Sequence, residues 1–214
     1  MLNHHILPVT AFMQNCTLLW CDETREAALV DPGGEASRLL DEIERRGLVL
    51  KQLLLTHGHL DHVGAAEALR EKTGARIVGP QKADAFWLQA LPAQSEMFGF
   101  PMTEAFSPDE WLEEGSQVAV GNQLLQVLHC PGHTPGHIIF FSATSKLAMV
   151  GDVLFQGSIG RTDFPQGDHA TLIASITNKL LPLGDEITFI PGHGPNSTFG
   201  RERLSNPYLC QPIW

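Results

Sequence analysis

The chain has 214 residues, enough for one large α/β domain, and its 43% hydrophobic and 18% charged content excludes a disordered tail or a fibre. Its formal net charge is −10 and its longest basic run is Arg45-Arg46, which argues against a phosphate-backbone partner. The opening MLNHHILPVTAFMQNC has no cationic leader, and no segment approaches the roughly 20 apolar residues of a membrane span, so a cytoplasmic protein with no membrane partner is expected.

In chain order, residues 15–21 and 26–31 read as strands around the polar turn Asp22-Glu23-Thr24-Arg25, closed by Pro32-Gly33-Gly34. Residues 35–46 have helical spacing, with Leu39, Leu40 and Ile43 on one face and Gly47 as the stop. The apolar run 48–55 predicts a buried strand, and residues 63–72 a second helix ended by Gly74. A short strand over 75–78 and a helix over 81–91 follow. Residues 92–111 read as irregular. Within 91–106 two methionines and three phenylalanines suggest a loop packed on its own domain, a lid or a subunit contact.

Gly121-Asn122 is a primed-turn dipeptide between strands at 117–120 and 123–129, and residues 138–142 and 147–150 form a second hairpin-like pair. A helix over 171–181, a last strand over 187–190 and a short helix starting at 201–204 complete the reading. Strands and helices mix along the whole length, so a single domain over 1–214 is expected, as a monomer or small homo-oligomer. Cys16, Cys21, Cys130 and Cys210 lack a C-x-x-C spacing and read as reduced thiols. Cys16 and Cys21 project to opposite faces of one strand and cannot easily bridge.

The most informative segment is Thr56-His57-Gly58-His59-Leu60-Asp61-His62, directly after Leu53-Leu54-Leu55. Imidazole and carboxylate suit zinc, iron or manganese. More such groups recur where a strand gives way to a loop: His133 in Pro131-Gly132-His133, Asp152 in Gly151-Asp152 and His193 in Pro191-Gly192-His193. The donors are then His57, His59, Asp61, His62, His133, Asp152 and His193, which is too many for one tetrahedral ion and right for two that share a carboxylate. Asp152 is the natural bridge. His137 is expected to hydrogen-bond behind the donors, His129 to pack, and His4, His5 and His169 to lie at the surface.

The H-x-H-x-D-H cluster followed by His133, Asp152 and His193, in that order, resembles the metallo-β-lactamase superfamily. That resemblance implies an αββα sandwich with two metal ions at one edge of two packed mixed sheets. It also implies the division of ligands: His57, His59, His133 and Asp152 on one ion, and Asp61, His62, His193 and Asp152 on the other. Gly151-Asp152-Val153-Leu154-Phe155 with Gly160-Arg161-Thr162-Asp163 is similar to the glyoxalase II group, most of all its short bacterial members. The longer members hold glutathione partly with an added helical C-terminal domain; this chain ends at Trp214, so no such domain is expected.

What the resemblance implies is a hydroxyacylglutathione hydrolase that cleaves S-D-lactoylglutathione to D-lactate and glutathione. The attacking group would be a hydroxide bridging two divalent ions, zinc before iron or manganese. Asp61 and Asp152 are the catalytic carboxylates in this reading, and no Ser-His-Asp arrangement is needed. Arg161 either pairs with Asp163 to shape its loop or contacts an anionic substrate; Lys146, Arg201 and Arg203 are candidates by charge alone. The competing readings are a persulfide dioxygenase with one iron, and a hydrolase of another ester, lactone or phosphodiester.

Overall fold

Neighbouring residues along the inner strands are both apolar, so each strand must be covered on two faces. Ile138 and Phe140 point to one hydrophobic cluster and Ile139 and Phe141 to another; Leu53 and Leu54 divide in the same way. The computed structural model, which describes residues 1–210, satisfies this requirement with four layers.

The first sheet has the order β1 (Leu2–Val9), β2 (Gln14–Cys21), β3 (Glu26–Val30), β4 (Val49–Leu54) and β5 (Arg76–Val78). β1, β2 and β3 pair antiparallel, while β3, β4 and β5 run parallel. The second sheet draws on β6 (Gln117–Val120), β7 (Gln123–His129), β8 (Ile138–Ser142), β9 (Leu147–Gly151), β12 (Thr188–Pro191) and β13 (Ser197–Thr198), in the order β13-β12-β9-β8-β7-β6. A small separate hairpin of β10 (Leu154–Phe155) and β11 (Ser158–Ile159) follows β9 in the chain.

Leu19, Ala28 and Leu54 of the first sheet meet Val127, Phe140, Met149 and Ile190 of the second in the central cluster. On the outer face of the first sheet lie Leu39 and Ile43 of α1 (Ala36–Arg45) and Leu69 of α3 (Ala66–Thr73). Leu172 of α6 (His169–Ser175) and Phe199 of α7 (Phe199–Ser205) cover the outer face of the second sheet. This is the expected αββα sandwich of mixed sheets. All four cysteines are free. Among the described residues no helix is long and apolar enough to cross a membrane.

Five local expectations need correction. β1 was not foreseen, because His4, His5 and Pro8 hide its alternation; as an edge strand it tolerates the proline. Residues 92–98 are not irregular but belong to a helix, α5 (Leu91–Phe98), after α4 (Ala85–Gln89), with Pro92 in its first turn and Gly99 closing it at φ 68°. The helix expected over 63–72 is two helices, α2 (Leu60–Val63) and α3, because the Ala65 amide donates to the Pro32 carbonyl (2.9 Å) instead of continuing the turn. The helix expected over 171–181 holds α geometry to Ser175 and then widens into a π turn over Ile176–Leu180. β12 is not last, since two residues of β13 pair back onto it.

Candidate metal centre

The seven foreseen donors follow the C-terminal ends of β4, β7, β9 and β12. β9 is parallel to β12, and β7 is antiparallel to β8, which is antiparallel to β9. All three ends in the second sheet therefore emerge on the same edge. The first sheet is tied to that edge by backbone bonds: Ile138 N to Thr56 O (2.9 Å) and Asn15 N to Gly192 O (2.7 Å).

Two groups of donors form, joined by Asp152. In the first, Nδ1 of His59 lies 3.1 Å from Nε2 of His57 and 3.1 Å from Nε2 of His133. In the second, Oδ2 of Asp61 lies 3.1 Å from Nε2 of His193 and 3.7 Å from Nε2 of His62. Asp152 faces both, with Oδ1 3.4 Å from His62 Nε2 and Oδ2 3.7 Å from His133 Nε2. Gly192 makes the close approach feasible, since a Cβ there would stand 2.1 Å from Asp152 Oδ1.

In four of these rings the remaining nitrogen has an outward partner, which turns the other nitrogen towards the site. His133 donates from Nδ1 to the Arg161 carbonyl (2.7 Å), and His193 from Nδ1 to the Phe12 carbonyl (3.1 Å). His62 donates from Nδ1 to Oδ2 of Asp31 (2.9 Å). His57 donates from Nδ1 to Thr56 Oγ1 (3.0 Å), whose own proton goes to Asp31 (2.6 Å). A carbonyl only accepts, so in the neutral rings the proton sits outward and the lone pair inward.

The chemistry of this donor set fits divalent metal. Burial holds His57 well below the ordinary histidine range and His59 down to about 3, and it lowers His133 too, so these rings are neutral. A proton on His59 Nδ1 could serve only one of its two neighbours at 3.1 Å, so three converging neutral nitrogens repel unless a cation lies among them. Nitrogens around a tetrahedral zinc, each about 2.0–2.1 Å from it, stand about 3.3 Å apart, close to the separations seen here. Oδ1 of Asp152 and Nε2 of His62 are buried without a hydrogen-bond partner. Burial opposes ionisation of Asp152, but His62, with His133 and His193, outweighs it and keeps the carboxylate charged.

Sequence reasoning missed the residues that hold the donors. Asp31, buried at the end of β3, accepts from the Thr56 amide (2.8 Å) and hydroxyl as well as from His62. Its position at a strand end before Pro32-Gly33 repeats the pattern of the other site loops, which was the available signal. Asp84 is buried and had no signal. It accepts from Gly58 N (2.9 Å), Thr134 Oγ1 (2.7 Å) and Gly136 N (2.5 Å), so one carboxylate braces the loops of His57–His59 and His133. Burial pushes its carboxyl up to about 6 against those bonds. His137 lies behind the donors as expected: its ring stacks on His57 (4.6 Å) and its Nε2 accepts from the Asp152 amide (3.1 Å).

The Arg161 guanidinium forms two bonds to Asp163 (2.7 and 2.6 Å) and covers the Phe164 ring, while its carbonyl serves His133. His129 donates to the Pro135 carbonyl (2.8 Å), whereas His4 and His169 are exposed. Lys146 pairs with Glu186 and Arg203 with Asp185, and neither they nor Arg201 line the cavity described next. That cavity, about 820 Å³, opens onto His59, Asp61, His133, Asp152 and His193.

Residues 9–193 match the family model of the Metallo-beta-lactamase superfamily. The chain is 54% identical over 209 residues to "Hydroxyacylglutathione hydrolase GloC" of Haemophilus influenzae, covering 97% of this chain and 98% of that protein. The crystal structure of BLEG-1 B3 metallo-beta-lactamase superposes with a TM-score of 0.89 at 37% identity, over 99% of this chain and 100% of that one. TTHA1623 in a di-iron-bound form gives a TM-score of 0.87 at 35% identity, over 96% and 100%.

Proposed function

Because the chain belongs to the metallo-β-lactamase superfamily, we propose that its strand-end histidines and aspartates hold two divalent ions and cleave hydroxyacylglutathione thioesters, with S-D-lactoylglutathione as the reference substrate. His57, His59, His133 and Asp152 would hold one ion, and Asp61, His62, His193 and Asp152 the other. Zinc is the first expectation, with iron and manganese accepted by the same donors. The observation that carries the reading is the inward convergence of ring nitrogens on both sides of one buried carboxylate.

When bound, such ions supply Lewis acidity and a nucleophilic oxygen at neutral pH. The protein's own groups do the rest. Asp152, with one oxygen towards each donor group, fixes their spacing. Asp61 is ionised, because His62 and the His193 hydrogen bond outweigh its burial, so it can accept a hydrogen bond from an attacking water and orient it. The Arg161 and Phe12 carbonyls keep His133 and His193 in the tautomer that bares Nε2. The leaving thiolate is a weak base, so no strong acid has to stand beside it.

The test is loss and recovery. Protein stripped by a chelator should release no D-lactate from S-D-lactoylglutathione, and added zinc should restore cleavage. Undiminished cleavage by stripped protein would overturn the reading.

A further inference from the structure

The cavity over the donors is built of apolar side chains. Trp87 and Phe164 stand on one side, Phe12 and Phe98 on another, with Met97 and Ile159 completing the wall. The Trp87 and Phe164 rings abut the donors themselves: their centroids lie 4.5 and 4.8 Å from that of His59, and Phe164 lies 5.7 Å from His133. A thioester carbonyl placed at the donors therefore has a substituent within a ring's breadth of these two aromatics.

Cationic recognition is sparse on the same wall. Glutathione carries two carboxylates, yet among the described residues Arg161 is the one arginine or lysine lining the cavity. Its guanidinium is exposed and already bonded twice to Asp163. Gln94, a neutral polar liner, is committed at both ends, accepting from Leu60 N (2.9 Å) and donating to the Trp87 carbonyl (2.9 Å). The net charge of −10 offers an anion no broader attraction.

Resting on the thioester-hydrolase reading, we infer that this site selects its substrate by the apolar bulk of the acyl group, held by Trp87 and Phe164, and not by the charge of the thiol carrier. The substrate class is thioesters of aromatic or large apolar acyl groups, on an anionic or a neutral carrier. A lactoyl group presents a single methyl to this wall and leaves most of it wet. Apolar contact is the interaction the wall offers, and it grows with the area covered.

The experiment compares kcat/KM of the metal-loaded protein on four substrates: the D-lactoyl and D-mandeloyl thioesters, each on glutathione and on N-acetylcysteamine. The mandeloyl thioester should exceed the lactoyl one by about tenfold or more on either carrier, the low end of what one apolar contact gives. Exchange of glutathione for N-acetylcysteamine should change either constant by less than about fivefold. A smaller mandeloyl advantage, or a larger loss on the neutral carrier, overturns the inference while leaving the hydrolase reading intact. Cleavage of none of the four overturns both. Phe164→Ala should abolish the mandeloyl advantage; its persistence would contradict the assigned contact. A readout without turnover is binding to the metal-free protein, where S-benzylglutathione should bind more tightly than S-methylglutathione and the reverse order contradicts the inference.

Discussion

Oδ2 of Asp31 accepts the Nδ1 proton of His62 across 2.9 Å, linking the end of β3 to a buried ring 31 residues later. The same carboxylate holds the Thr56 amide and hydroxyl, and Thr56 in turn holds His57. One side chain therefore sets a ring in each of the two donor groups. Asp31→Asn should raise the metal dissociation constant roughly 10- to 100-fold, the usual effect of removing a group that orients a ligand. Calorimetric titration checks it, with far-UV circular dichroism unchanged; wild-type affinity would show that His62 needs no such anchor.

Asp84 supports a stability prediction. Asp84→Ala leaves Gly58 N, Gly136 N and Thr134 Oγ1 without their acceptor. Each buried donor left unpaired costs about 1–3 kcal/mol. The urea-unfolding free energy of the metal-free protein should fall by at least one such increment, seen as a lower midpoint with the slope unchanged. An unchanged midpoint would mean that water satisfies these groups.

At Gly192 the prediction concerns geometry. The added methyl of Gly192→Ala would meet Asp152 Oδ1 at 2.1 Å and His62 Cε1 at 2.6 Å, so the carboxylate must move. A displacement of about 1 Å at a reacting centre costs roughly 10²-fold in rate. Steady-state kinetics should show that loss in kcat, while thermal unfolding of the metal-free form changes little.

The strand-end donors were legible because strand periodicity and glycine-flanked polar residues are local signals. His57 follows an apolar run, and Asp152 and His193 each stand beside a glycine at the end of a strand. What escaped was long-range. Asp84 braces loops 26 and 52 residues away, and nothing in Lys82-Ala83-Asp84 marks it. The Phe12 carbonyl reaches His193 across 181 residues, and a backbone oxygen leaves no trace in a sequence. α5 was missed for a different reason: its Leu, Met and Phe residues lack one clean face, because Met97 and Phe98 look into the cavity and not into the core.

Acid should unfold the metal-free protein early. Burial holds His57, His59 and His133 below their unfolded value, His59 down to about 3. Above about 6.5 neither state binds these protons; between about 6.5 and 3 the unfolded chain takes up protons that the folded rings refuse. This contribution is complete above the unfolded pKa and is lost as pH falls. His62 and His193 act in the opposite sense, because the charges of Asp152 and Asp61 raise them despite burial; their contribution is complete at low pH and lost as pH rises. His137 joins the first group, and the unfolded rings of His62 and His193 are already protonated below about 6.5. Four lowered rings therefore face only Asp84, whose carboxyl is held up to about 6, and acid destabilises on balance. The Tm of metal-free protein should fall from pH 6.5 towards 5, about the range in which free imidazole titrates. A Tm that rises over that interval contradicts the assignment.

The most direct measurement is metal stoichiometry, with zinc titrated into the stripped protein and into Asp152→Ala. The wild-type chain should take up two ions per chain and become able to cleave S-D-lactoylglutathione, and removal of the shared carboxylate should abolish tight uptake and cleavage together. A wild-type chain that saturates with one ion at full activity, or an Asp152→Ala protein that still binds two, would contradict the shared-carboxylate centre.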